Sequence, residues 1–244
     1  MGNENESLSL IDHLKELRTR TIRCCISIIL CFLPLIYYSN TIYQFVSSPL
    51  QALLPGQSSM IATEVASPFF APIKLTFFVS LLISIPYILY QVWGFISPAM
   101  YKNEKRFAYT ILFSSIALFY IGIMFSYLLV FPLIFNFFTS VAPEGILIMT
   151  DINSYLDFVL KMFIAFSFSF EIPIIILMLT WAGITTRETL ATKRPYIVLA
   201  CFIMAMILTP PDVISQILLA VPAYLLFELG LVLSWLFDKK KERT

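Results

Sequence analysis

The stretch FSFSFEIPIIIL, residues 166–177, places one carboxylate, that of Glu171, inside an otherwise apolar run. The run extends from Phe163 to Trp181 and is 19 residues long, close to the roughly 20 residues that a helix needs to cross a bilayer. A charged side chain at the bilayer centre costs about 2.5–3.5 kcal/mol on insertion scales. The protein must therefore offset that cost or use the charge.

The composition around this run is that of a membrane protein. Of the 244 residues, 59% are hydrophobic and 13% are charged, whereas soluble domains average about 25% charged residues. The net charge of +1 gives no reason to expect nucleic acid as a partner. The first 23 residues are polar and charged, so we expect the first apolar run to be a retained helix and not a cleaved signal peptide.

Apolar runs along the chain predict an all-α, polytopic membrane protein with a single integral membrane domain over residues 1–244. The fifth run has about 15 residues and would reach roughly 22 Å across a hydrocarbon core of about 30 Å. The sixth is interrupted by Pro222 and Glu228, so we expect the last two helices to be short. The six predicted spans cover approximately residues 21–38, 72–93, 107–131, 155–181, 195–209 and 213–237.

The basic residues predict that both termini are cytoplasmic. With the N-terminus inside, every Lys and Arg lies on the inner side except Lys74 and Lys161, as the positive-inside rule requires. These two fall just within outer helix ends, where long side chains can reach the interface. The tryptophans agree, because each ends an outside-to-inside helix at the inner interface: Trp93, Trp181 and Trp235.

Catalytic and metal-binding motifs are missing from the sequence. It has one histidine, His13, no nucleophile elbow and no P-loop. Glu171 and Glu228 lie at different predicted depths, so they do not form a catalytic carboxylate pair. The cysteines form no CxxC pair and lie in or beside apolar runs, which favours small buried side chains: Cys24, Cys25, Cys31 and Cys201. We expect no enzymatic activity and no cofactor.

Two acids lie among basic residues on the predicted cytoplasmic side: Glu16 in HLKELRTR and Glu104 in YKNEKR. One interpretation is local pairing, such as Glu16 with Arg20 at i,i+4, which contributes about 0.3–0.5 kcal/mol. The other is a receptor with two carboxylates for a cationic ligand, since a carboxylate accepts a guanidinium in a two-pronged arrangement. Spacing alone favours local pairing.

Glu171 also allows two interpretations. Its carboxyl could be protonated and hydrogen-bonded to a neighbouring helix or to a nearby hydroxyl, such as that of Ser167, Ser169 or Thr180. It could instead form a polar, water-accessible site within the helix bundle, followed by a helix-perturbing Pro173. We favour a functional role, because ionisable residues inside membrane spans are usually functional.

The sequence TPPD, residues 209–212, joins the two short predicted spans. This turn should therefore lie below the outer surface or thin the bilayer locally. Thr209, Asp212 and Gln216 would then offer hydrogen bonds to another membrane helix, although a plain Pro-Pro hairpin at the interface is equally compatible. The chain has no GxxxG motif, so we do not expect close helix packing of that type.

Five segments, taken together and in this order, resemble the TatC family, the core receptor subunit of the twin-arginine protein translocase. The resemblance extends from Leu10 to about Trp235. The segments are HLKELRTR, MIATEVASPFFAPIKL, ILYQVWGFISPAMYKNEKR, SFEIP and LTPPDVISQ.

The resemblance implies a concave, glove-like bundle of six helices in the bacterial cytoplasmic (inner) membrane, with both termini inside. It also implies that Glu16 and Glu104 recognise the arginine pair of a substrate signal peptide, with Phe95 and Gln91 in the same site. By the same resemblance, Arg18 would hold the N-terminal segment against the first cytoplasmic loop.

The resemblance further implies that Glu171 faces the concave side of the bundle. It implies contact with the single-span partners TatA and TatB near the last two helices, through Met206, Thr209, Asp212 and Gln216. Transport of folded proteins would draw on the proton motive force, within an assembly that includes other copies of the chain and membrane lipid.

Two alternatives to a translocase receptor follow from the residues. A proton-coupled secondary transporter would use Glu171 as its protonation site, but such proteins have paired broken helices in two matching halves, and these halves do not match. A purely structural membrane scaffold would tolerate alanine at Glu16 and Glu104 without loss of a ligand.

Overall fold

The structure, a computed structural model, describes residues 2–53, 60–96, 105–141, 149–208 and 213–241. These residues are almost entirely helical, which confirms the predicted helical membrane-protein class. The helices are α1 (Gly2–Leu35), α2 (Ser39–Leu53), α3 (Ser67–Ile96), α4 (Lys105–Phe125), α5 (Phe131–Val141), α6 (Ile152–Trp181), α7 (Arg187–Thr192), α8 (Arg194–Leu208) and α9 (Val213–Lys241), and two short strands are β1 (Met60–Ile61) and β2 (Thr150–Asp151).

Among the described residues, five helical stretches are long and apolar enough to cross a membrane. The predicted span at 195–209 corresponds to α8, which has 15 residues and is shorter than these five. The last helix, α9, has 29 residues and continues through Pro222 and Glu228, so the expectation that both final helices are short is wrong for α9. A count of six spans and cytoplasmic termini stay predictions. The five stretches are His13–Ser48, Ser67–Phe95, Tyr109–Val141, Ile152–Trp181 and Val213–Leu236.

The central helix α6 has well-defined ends. At its start, the Asp151 side chain caps the helix by accepting a hydrogen bond from the backbone N–H of Ser154. At its end, Gly183 has φ of 70°, a left-handed conformation that glycine adopts at little cost. Pro173 lies within α6, and the helix continues through it to Trp181.

Several boundaries differ from the sequence prediction. Helix α1 begins well before residue 21, so the polar N-terminal segment is itself helical. A five-residue π-helical turn, Ser126–Val130, joins α4 to α5, and the helical path therefore continues to Val141 and not to residue 131. The parallel pair β1–β2 is not predicted, because two-residue strands are too short to show an alternating pattern.

The described chain forms two compact units. Unit 1 contains the described residues up to Gln44 together with Pro72–Ile116. Within it, Phe32 of α1 meets Phe77 of α3 edge-on, with 5.9 Å between ring centroids. Buried hydroxyls at four-residue spacing in α3 each donate to the carbonyl four residues earlier, which satisfies them within the helix: Thr76, Ser80 and Ser84.

Unit 2 contains Phe45–Ala71 and the described residues from Ala117 onwards. Its centre is an aromatic cluster around Phe131, which is fully buried. The ring of Phe131 lies 5.2 Å from that of Phe163 and 5.8 Å from that of Phe135, within the range of favourable aromatic pairs. Beside this cluster, the buried Tyr155 donates its hydroxyl to the carbonyl of Val46 at 2.9 Å.

Two single glycines of unit 2 allow close approach to α6. A Cβ added to Gly122 of α4 would lie 2.7 Å from the carbonyl oxygen of Phe166. A Cβ added to Gly230 of α9 would lie 2.7 Å from Cδ1 of Ile176 and 3.0 Å from Cα of Pro173. Close helix packing therefore occurs here at single glycines and not through a GxxxG motif.

Enlarging Gly230 should loosen the packing of α9 on α6. We expect Gly230→Leu to destabilise the protein by about 1–3 kcal/mol, the usual cost of overpacking. The measurement is thermal unfolding of the purified protein in detergent. Leu229→Phe is the matched control, since Leu229 is 47% exposed and has room for a larger ring; equal stability of the two variants would contradict the role of Gly230.

Candidate functional site

The first candidate site is the N-terminal cluster, which we define as Glu16, Arg20, Gln91 and Gly94. The four-residue spacing of Glu16 and Arg20 puts them on one face of α1. Nε and Nη2 of Arg20 both donate to Oε1 of Glu16, at 2.9 and 2.6 Å. The local pairing that the spacing predicts is therefore present.

Arg20 also joins α1 to the last turns of α3. Its Nη1 donates to the side-chain oxygen of Gln91 at 3.1 Å and to the Gln91 carbonyl at 3.2 Å. Its Nη2 donates to the carbonyl of Gly94 at 2.9 Å. Carbonyls near the C-terminal end of a helix lack partners within the helix and carry partial negative charge, so a guanidinium is a suitable partner for them.

An aromatic contact lies beside this cluster. The ring of His13 stacks on that of Phe95, with 4.2 Å between centroids and 22° between planes. The His13 ring therefore packs against another side chain although the residue is exposed. The stack brings Phe95 close to the segment that carries Glu16.

Among the described residues Arg20 joins α1 to α3, whereas the loop against which Arg18 would hold the N-terminal segment lies outside the described residues. Arg18 is exposed, and no hydrogen bond or ion pair joins it to another described residue. Glu104 lies outside the described residues, so its distance from Glu16 stays untested. The structure therefore brings together three of the predicted receptor residues where the middle of α1 meets the last turns of α3: Glu16, Gln91 and Phe95.

Glu171 lies in α6 between the two close helix contacts. Gly122 lies close to Phe166 and Ser167, which precede Glu171 in α6. Gly230 lies close to Pro173 and Ile176, which follow it. The residue is buried, with 9% of its surface exposed. An open, water-accessible position is therefore not seen in the described chain.

Two of the three hydroxyls that we considered as partners of Glu171 donate elsewhere. Ser169 donates to the carbonyl of Ala165 at 2.7 Å. Thr180 donates to the carbonyl of Ile176 at 3.0 Å and accepts from Ser234 of α9 at 2.9 Å. Both hydroxyls thus find their acceptor in the backbone of α6, and Thr180 also joins α6 to α9.

The predicted partner-helix residues are described only in part. Met206 is 58% exposed on α8. Gln216 donates its Nε2 to the carbonyl of Phe202 at 3.0 Å, so one of its hydrogen-bonding groups joins α9 to α8. Thr209 and Asp212 lie outside the described residues.

A second polar group, the Arg194 cluster (Arg194, Glu228 and Tyr224), is not found from the sequence. Nε and Nη2 of Arg194 donate to the two carboxylate oxygens of Glu228 at 2.7 and 2.8 Å. The Tyr224 hydroxyl donates to the same carboxylate at 2.7 Å. The sequence shows only an acid in the middle of one apolar run and an arginine at the edge of another. Because 34 residues separate the two, no local spacing indicates that they pair.

A third polar group, the loop cluster, holds β1 to the start of α6. Oδ1 of Asp151 accepts from the backbone N–H and the hydroxyl of Thr63 at 3.1 and 2.8 Å. Its Oδ2 accepts from the backbone N–H of Ser154 at 3.0 Å. Because these bonds favour the charged form, they hold the pKa of Asp151 well below its usual range, the Ser154 N–H having the largest effect.

None of these groups resembles a metal site. Among the residues that the structure describes, no three metal-ligating side chains lie together. The N-terminal cluster can bind a cation, because the half-exposed carboxylate of Glu16 lies beside the buried amide of Gln91.

Comparisons with known proteins agree with this architecture. Residues 12–222 match the family model described as Sec-independent protein translocase protein (TatC). A protein of that description from Haemophilus influenzae is 55% identical over 244 residues, covering 100% of this chain and 95% of the relative. One from Escherichia coli strain K12 is 56% identical over 225 residues, covering 92% and 87%.

A solved structure gives the same result. The crystal structure described as twin arginine translocase receptor TatC matches with a TM-score of 0.83 and 34% identity, covering 92% of this chain and 98% of that one. Fold and matches together define a multi-pass membrane component of a protein translocase, which is not an enzyme. The chain belongs to the TatC family. The comparisons give no support to a solute transporter.

The loop cluster predicts a pH-dependent contribution to stability. The pKa of Asp151 is lowered in the folded state, so its stabilisation is complete above the unfolded value and is lost as the pH falls through the folded value. We expect Asp151→Asn to lower the melting temperature at pH 7. The difference in melting temperature between this variant and wild type should narrow once the pH falls below 3.8, the ordinary pKa of this carboxyl.

The measurement is thermal unfolding of both proteins in detergent across this pH range. Glu188→Gln is the control, because Glu188 is the acid in the first turn of α7, outside the loop cluster. A constant difference between wild type and Asp151→Asn at every pH would contradict the role of the charged form.

Proposed function

We propose that this chain is the signal-peptide receptor of a twin-arginine translocase, which recognises paired arginines with carboxylates. The observation that carries the proposal is the N-terminal cluster: Glu16 already binds a guanidinium, that of Arg20, through charge-assisted hydrogen bonds. Glu16 keeps 38% of its side chain exposed, so it is accessible to a ligand. Family membership makes the paired arginines of a signal peptide the fitting ligand.

The proposed site has a second acid, Glu104, in the segment that follows α3. An arginine pair offers two planar guanidinium groups, and two carboxylates on neighbouring segments would be their complement. Phe95 and Gln91 would line the same site, since both lie in the last turns of α3 near Glu16. Glu16 and Glu104 together would thus select two arginines over two lysines.

The proposed receptor lies in the bacterial inner membrane with both termini cytoplasmic, as the distribution of Lys and Arg predicts. TatA and TatB would bind near α8 and α9, where the exposed Met206 lies with Gln216, and with Thr209 and Asp212 between the two helices. Copies of the chain and membrane lipid would complete an assembly that carries folded proteins. The proton motive force would drive it, because the sequence has no nucleotide-binding motif.

Removing either receptor acid should abolish recognition of the arginine pair. In membranes, a photo-reactive twin-arginine signal peptide should cross-link to wild type and lose most of that cross-link with Glu16→Ala or Glu104→Ala, because a guanidinium loses its charged acceptor. The same peptide with two lysines is the ligand control. Glu188→Gln is the protein control. Undiminished cross-linking to both acid variants would overturn the receptor role.

Glu171 should matter after binding. We expect Glu171→Ala to leave cross-linking of the signal peptide largely intact and to impair export of a folded substrate, because the residue is buried within α6, away from the N-terminal cluster in sequence. Export is measured by the appearance of a processed substrate outside the membrane. Wild-type export by this variant would make the acid structural only. Ile175→Ala, at an exposed position one turn along α6, is the control.

A further inference from the structure

We propose that Arg20 is a positioning residue that fixes the carboxylate of Glu16 so that a single oxygen, Oε2, is left for an arginine of the ligand. The inference rests on the proposed receptor function and adds a residue that controls its specificity. An arginine of the receptor itself would thus orient the acid that binds the ligand.

The guanidinium of Arg20 is held from several sides. All three of its nitrogens donate hydrogen bonds, to Oε1 of Glu16, to both oxygens of Gln91 and to the carbonyl of Gly94. Gln91 is buried, with 4% of its surface exposed, and the Arg20 side chain is 22% exposed. A guanidinium with this many partners is rigid, because moving it breaks several bonds at once.

Gly94 provides the space for this arrangement. A Cβ at position 94 would lie 2.5 Å from Nη1 of Arg20 and 3.2 Å from its Cζ. A side chain there would displace the guanidinium from the end of α3. Arg20 and Gly94 therefore form one fitted contact, although they are 74 residues apart.

The contact with Glu16 is one-sided. Both bonds from Arg20 go to Oε1, and Oε2 accepts no hydrogen bond from any residue in the described ranges. A free carboxylate presents both oxygens to a guanidinium in a two-pronged arrangement. Held by Arg20, Glu16 instead offers one oxygen in a defined direction, while half of its acceptor capacity is already used.

This arrangement has a consequence for selectivity. An ammonium group is a compact charge that adapts to any carboxylate orientation, whereas a planar guanidinium requires acceptors in matching positions. Without Arg20 the Glu16 carboxylate can turn, so its free oxygen loses its defined direction and the preference for arginine over lysine should fall. The loss of the neighbouring positive charge makes Glu16 more attractive to arginine and lysine alike, so it changes both affinities and leaves their ratio to report the orientation of the carboxylate.

The experiment measures the affinities of a fluorescent twin-arginine signal peptide and its twin-lysine version for the full-length protein in lipid nanodiscs. The readout is the ratio of the two affinities. We expect Arg20→Gln to lower this ratio by about tenfold, the effect of one charge-assisted hydrogen bond, with lysine-peptide affinity unchanged or higher. Gly94→Val should lower the ratio in the same direction, without removing a charge. Arg23→Gln, at an exposed arginine of the same helix, is the control.

A double variant tests whether Arg20 acts through Glu16. If it does, Glu16→Gln with Arg20→Gln should change the ratio no more than Glu16→Gln alone. An equal loss of both peptides in Arg20→Gln, or an unchanged ratio, would overturn the inference and leave the receptor function intact. A wild-type protein without arginine preference would instead refute the receptor function itself.

Discussion

The fold depends on one constraint: within lipid, every backbone N–H and carbonyl needs a partner inside the protein. Long helices meet this demand, and the described chain uses them for five apolar stretches. Two hydroxyls of α6 are satisfied in a similar way, since the buried Ser169 and the part-buried Thr180 both donate to carbonyls of their own helix. Polar side chains can thus be buried without requiring a partner on another helix.

Charged side chains cannot be satisfied in this way, and they mark the places where helices are joined. Arg20 joins α1 to α3, and Arg194 joins α8 to α9. In both cases the arginine uses more than one of its nitrogen donors, and the contact lies at a helix end: the last turns of α3 for Arg20 and the start of α8 for Arg194. Glu171 differs, because it lies in mid-helix between two glycine contacts that bring α4 and α9 close to α6.

The helical class and the approximate spans could be predicted from the sequence, because apolar length and basic flanks are local signals. The Glu16–Arg20 pair is local too and follows from its four-residue spacing. The contacts of Arg20 with Gln91 and of Arg194 with Glu228 join residues that are 71 and 34 positions apart. No periodic pattern in the sequence predicts them. For the same reason the sequence does not show that Arg20 is the arginine that reaches α3, because Arg18 and Arg20 look equivalent until the neighbouring helix is known.

The hydroxyl ladder of α3, formed by Thr76, Ser80 and Ser84, has a mechanical consequence. Each hydroxyl donates to a carbonyl of α3 itself. The buried face that they form therefore needs no hydrogen-bond acceptor from a neighbouring segment. A segment packed against that face therefore meets no hydroxyl donor of these three that still needs an acceptor. This face of α3 can thus pack by shape alone, in contrast to the faces of α6 where Gly122 and Gly230 each require one close approach.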